Sequence, residues 1–172
     1  MQHDHFKDNH EGLAARQFLP RYNKLHCTNF ELIVKESNAE PDFHSRDTKT
    51  GEVLNFDVTL GATRQMIDEW RKLLRKDYRD PESGSALSIE KDQEACRKEL
   101  KVCKDNITKK FSKRYGKNCA LVLYYFNTSR YAKEFVDDLR MSINFTASPF
   151  NKGIWLLSAA AAEFHRIDEV HA

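Results

Sequence analysis

The sequence predicts an α/β fold: a three-layer sandwich in which helices flank a central mixed β-sheet, formed as one domain over residues 1–172. Three observations carry this. Segments with a helical hydrophobic period alternate with short β-prone runs, the pattern of a sheet covered by helices. Cys119–Phe126, CALVLYYF, is almost continuously apolar, which suits a central strand buried on both faces. Ala39–Gly61 reads as a hairpin with one apolar and one polar face.

Taken in order, Phe6–Leu19 reads as a helix that ends before Pro20, with Phe6, Leu13, Ala14, Gln17 and Phe18 on one side. Glu11 lies one turn before Ala14 and Ala15, close to that stripe. Phe30–Val34 is a short strand with a buried look. Thr63–Tyr78 repeats Met66, Ile67, Trp70, Leu73, Leu74 and Tyr78 at helical spacing, with Thr63 as N-cap. Ser88–Tyr115 carries the stripe Ile89, Cys96, Leu100, Cys103, Ile107 and Phe111, and Gly116 is its expected C-cap. A helix from Ser129 to Arg140 turns Tyr131, Phe135, Val136 and Leu139 inward. Met141–Phe145 and Gly153–Leu157 read as strands, and Ala159–Phe164 as a short helix.

In the hairpin, the turn Asp47-Thr48-Lys49-Thr50-Gly51 sets the register. Asp47 then faces Glu52, Ser45 faces Leu54, Phe43 faces Phe56 and Asp42 faces Asp57. Pro41, Phe43, Leu54, Phe56, Val58 and Leu60 share one face. Glu40, Asp42, His44, Asn55, Asp57 and Thr59 share the other. Two carboxylates directly opposed on a sheet repel unless a cation lies between them. Hard divalent ions prefer such oxygens, which makes Asp42 and Asp57 a candidate metal site. A solvated outer face is the alternative reading of the same stripe. On the metal reading, Asp57→Ala is expected to abolish the chemistry with little loss of stability, or even a gain as the repulsion goes.

The chain has 172 residues, 40% hydrophobic and 31% charged, with a formal net charge of +2. A nucleic-acid surface must therefore be a local patch. One is available on the second half of the long helix: Lys101, Lys104, Lys109, Lys110, Lys113, Arg114 and Lys117, few of them interleaved with acids. This run is either a solvated face or a phosphate contact. No stretch is apolar and long enough to span a bilayer, and the polar start carries no signal-peptide core, so a cytoplasmic location is expected. The four cysteines lack CxxC spacing and read as free thiols.

Glu40-Pro41-Asp42-Phe43, a turn, and Phe56-Asp57-Val58-Thr59 together resemble the signature of the PD-(D/E)XK nuclease superfamily, with its proline-aspartate on one strand and acid-x-lysine on the next. Glu11 matches the glutamate often found on the first helix. The resemblance implies a restriction-endonuclease-like fold with core order α-β-β-β-α-β and a metal-dependent nuclease that hydrolyses phosphodiester bonds, with DNA favoured over RNA. It implies Mg²⁺ or Mn²⁺ held by Asp42 and Asp57, with Glu11 as a third acid. Thr59 stands where the family has lysine. It can position water but supplies no charge, so a basic or amide group from the next helix (Arg64, Gln65 or Lys72) is expected to assist. The basic residues Lys101, Lys104, Lys109, Lys110, Lys113 and Arg114 are the expected nucleic-acid contacts. The competing readings are a catalytically silent member of the fold that binds nucleic acid or a protein partner, and a subunit of a larger assembly or homodimer marked by exposed apolar surface near Trp155 and Leu156, although core packing is the favoured reading of Trp70 and Trp155.

Overall fold

The structure, a computed structural model, describes residues 5–33, 41–66, 68, 89–125, 132–158 and 164–169. Its elements are α1 (His5–His26), β1 (Phe30–Ile33), β2 (Phe43–Asp47), β3 (Val53–Leu60), α2 (Ile89–Phe111), β4 (Cys119–Tyr125), α3 (Ala132–Ser142), β5 (Ile154–Ser158) and β6 (Phe164–Arg166). The six strands form one mixed sheet in the order β1-β2-β3-β4-β5-β6. β1, β2 and β3 run antiparallel to their neighbours, β3, β4 and β5 run parallel, and β6 returns antiparallel on β5.

The alternation of side chains along the strands divides the interior in two. On one face Phe43, Leu54, Phe56, Val58, Val122, Tyr124 and Trp155 pack with Ala14, Ala15, Phe18, Leu19 and Tyr22 of α1. On the other, Cys119, Leu121, Leu123, Tyr125 and Leu156 pack with Cys103 and Ile107 of α2 and Phe135, Val136 and Leu139 of α3. β4 is buried at every position, as its unbroken apolar run requires. Truncating a side chain such as Phe56, fully buried and stacked on Phe43 with ring centroids 5.2 Å apart, costs about 3–5 kcal/mol.

The hairpin register is the expected one: Phe43 pairs with Phe56, His44 with Asn55 and Ser45 with Leu54, and the Asp47 amide donates to Glu52 O at 2.8 Å. Asp47 also fixes the turn. Its carboxylate accepts from the amides of Asn29 at 2.7 Å and of Lys49 and Thr50 at 2.8 Å. These donors hold its pKa down at about 2.

Several local readings are corrected. α1 runs through Pro20 to His26, because packing beyond the proline outweighs one missing N–H. Tyr22 is buried against Phe18, Phe30 and Trp155, and Asn23 bonds both Phe30 O and Phe30 N at 2.9 Å. Ala15, Leu19 and Tyr22 face the core, whereas Leu13 is 38% exposed. β1 is an edge strand with only Phe30 buried, so its β-branched character does not mark an interior position. Met141–Phe145 is the end of α3 followed by a 3₁₀ turn at Phe145–Ala147. Phe164 begins β6 and packs its ring on Trp155, 4.9 Å between centroids, rather than ending a helix.

Gly116 does not terminate α2, which stops at Phe111; the left-handed position before β4 is Asn118, with φ 59°. Thr63 does cap a helical turn at 64–66, its Oγ1 accepting from the Met66 amide at 3.3 Å. Lys72, Trp70 and the remainder of that expected helix lie outside the described residues, as do Val34, Ser129 and Tyr131. No helix among the described residues is long and apolar enough to cross a membrane.

Candidate active site

Asp42, in the bend just before β2, and Asp57 of β3 flank the Phe43–Phe56 pair, the last in the register of β2 on β3. Asp57 follows the alternation of β3 onto the sheet face that α2 covers, two residues from Thr59 and level with Leu121 of β4. It is 1% exposed. The two carboxyls are joined by a hydrogen bond. They therefore share a site, as the hairpin register requires.

The charge problem of this pair is met by α2. Lys110 Nζ lies 2.5 Å from Asp57 Oδ2, with 16% of the lysine side chain exposed. Tyr115 OH, from the loop after the helix, donates to the same oxygen at 2.5 Å. Asp57 Oδ1 is buried, and apart from the proton shared with Asp42 no donor among the described residues reaches it. Burial by itself raises the Asp57 pKa, but the bond from Asp42, the Lys110 ammonium and the Tyr115 hydroxyl together bring it below the ordinary value. Asp42 moves the other way, to about 7, through burial, its bond to Asp57 and the negative charges of Asp57 and Glu11, with Lys110 opposing. Without a cation the pair is held as one carboxyl and one carboxylate, neutralised by a proton and an ammonium.

Glu11 is 2% exposed on α1 and close enough for its charge to act on Asp42. Among the described residues no group of three or more His, Cys, Asp or Glu side chains is gathered to hold a metal ion; a cation at this site would meet the carboxyls of Asp42 and Asp57, with the charge of Glu11 acting on Asp42. Two hard oxygens, one of them a buried acceptor that no described donor but Asp42 reaches, fit a Mg²⁺-type ion that takes one or two carboxylates and fills its shell with water or substrate oxygen.

Thr59 is 7% exposed on the same face as Asp57. Gln65 is exposed at the start of the helical turn. Arg64 reaches Asp68 at 4.0 Å on the surface. His44 extends the polar stripe, its Nδ1 2.8 Å from Asn55 Oδ1. Along α2 and the loop after it, Lys101, Lys104, Lys109, Lys113, Arg114 and Lys117 are exposed, whereas Lys110 turns inward to Asp57. Lys110 thus belongs to the acid site and not to the outer basic surface expected of it.

Sequence reasoning missed Tyr115 and misassigned Lys110. A partial signal exists: Cys103, Ile107 and Lys110 recur at helical spacing, so a lysine continues a buried stripe. Trp155 and Leu156 are 2% and 0% exposed, so Trp155 packs in the core, the reading favoured for it, and the exposed patch that a subunit of a larger assembly would show does not lie there. Comparison of the chain with protein-family models, with curated proteins and with solved structures finds no match in any of the three.

Proposed function

We propose that this chain is a metal-dependent nuclease of the PD-(D/E)XK type, hydrolysing phosphodiester bonds in nucleic acid, with DNA favoured over RNA. The observation that carries the reading is the pair of half-buried Asp42 and buried Asp57, with Lys110 on Asp57 Oδ2. It supplies two acids and the basic group that Thr59 cannot. The element order supports it: α1-β1-β2-β3-α2-β4, with β2 antiparallel between its neighbours and β4 parallel to β3, follows the α-β-β-β-α-β core that the resemblance implies.

Bound Mg²⁺ or Mn²⁺ would supply a water of lowered pKa and neutralise charge on the phosphate. Asp42 and Asp57 would hold it, and Asp42 gives up its proton in doing so. Lys110 keeps a fixed positive charge beside Asp57, where developing negative charge is stabilised without reorganisation. Thr59 offers a hydroxyl to water on the same face, and Glu11 sets the charge behind Asp42. Lys101, Lys104, Lys109, Lys113 and Arg114 present the positive surface that draws in the backbone.

The test is a panel of single- and double-stranded DNA and RNA incubated with Mg²⁺ or Mn²⁺. Cleavage that chelator abolishes and Asp57→Asn removes is expected; salt-dependent binding without cleavage on every substrate contradicts the proposal.

A further inference from the structure

The donors on Asp57 are unevenly divided between its oxygens. Oδ2 accepts from Lys110 Nζ and Tyr115 OH, each at 2.5 Å. Oδ1 is buried and, apart from the proton shared with Asp42, receives no donor from the described residues. The phenol does not rest on that bond alone. Its ring lies 4.5 Å from Phe150 between centroids, and Phe150 is 3% exposed and packed near Phe111 of α2. Tyr115 is thus held at the ring end by core and at the hydroxyl end by Asp57.

Resting on the nuclease reading, we propose that Tyr115 is a positioning residue which, with Lys110, withdraws Asp57 Oδ2 from coordination, so that the Asp42–Asp57 pair takes one divalent cation and not two. A second ion bridging to Asp57 would need Oδ2, which already accepts two bonds, one from an ammonium. That ammonium stands beside the oxygen such an ion would use, and like charges repel there with little solvent to screen them. Once Asp42 gives up the proton it shares with Asp57, the oxygen left for a cation is Oδ1. Groups that orient a ligand in this way change metal affinity by about 10–100-fold when removed.

Mn²⁺ titration of the full chain, with free ion followed by electron paramagnetic resonance, reads both affinity and stoichiometry. One ion per chain is expected. Tyr115→Phe keeps the ring on Phe150 and loses only the hydroxyl; about tenfold weaker binding or more is expected, still at one ion. The double variant Lys110→Met, Tyr115→Phe clears Oδ2 and should admit a second ion. Two ions on the native chain, or Tyr115→Phe binding with native affinity, overturns the proposal. A native chain that binds no Mn²⁺ overturns the nuclease reading beneath it instead.

Discussion

Lys110 Nζ and Asp57 Oδ2 are 2.5 Å apart, 53 residues apart in sequence, in a contact that leaves both side chains largely buried. This ion pair removes the expectation that losing Asp57 is harmless to the fold. Breaking one side of a buried pair strands the other charge, at about 3–5 kcal/mol. Asp57→Ala and Lys110→Ala should each lower stability by that order. Asp57→Ala combined with Lys110→Ala should cost less than the sum of the single changes, because neither charge is left alone. Urea unfolding of the four proteins measures the coupling; strict additivity contradicts it.

Asp42 titrates at about 7 in the folded chain, against an ordinary 3.8. Between those values the folded chain holds a proton that the unfolded chain has lost. This group's contribution therefore weakens stability as pH rises from about 4 to about 7 and is flat above. A cation competes for the same carboxylate. Apparent Mn²⁺ affinity should rise about tenfold per pH unit up to about 7 and then level off. Titration calorimetry across that range checks the slope, and an affinity independent of pH contradicts it.

The exposed lysines and arginine along α2 and the loop after it predict a uniform, salt-sensitive grip on nucleic acid. Replacing Lys109, Lys113 and Arg114 with alanine should weaken binding alike on all sequences and reduce the salt slope by about one per charge removed. Their exposure means that thermal stability should change little. Fluorescence anisotropy at several salt concentrations reads the slope.

Gly61 marks where α2 approaches the end of β3. A Cβ there would lie 2.8 Å from Cys103 Sγ and 3.0 Å and 3.2 Å from Tyr125 Cβ and Cα. Cys103 also donates to Gly61 O at 3.6 Å. Gly61→Ala should destabilise the chain by about 1–3 kcal/mol through overpacking. Because this contact anchors the helix that carries Lys110, Mn²⁺ affinity should fall with it.

Much of this was legible in residue order. The turn at Asp47–Gly51 fixes the hairpin register, and the period of two then sends Asp42 and Asp57 to one face and Phe43 and Phe56 to the other. The unbroken run in β4 gives its central place. What was not legible depends on distant packing. Pro20 reads as a helix end until Tyr22, Phe30 and Trp155 are seen to close around it. Phe164 reads as helical until Trp155 stacks on it. Lys110 reads as one cation in a solvated run, since nothing near it in sequence reveals that the helix passes over Asp57. Tyr115 follows the helix in a loop, where periodicity carries no information.

The most direct test of the central claim is cleavage of a DNA substrate by native chain and by Asp42→Asn at the same Mn²⁺ concentration. The facing acids predict strand scission by the native chain that chelator stops, and none above background by Asp42→Asn, with the variant still folded. Equal cleavage by the two proteins would contradict the claim that this pair of carboxyls is where the chemistry happens.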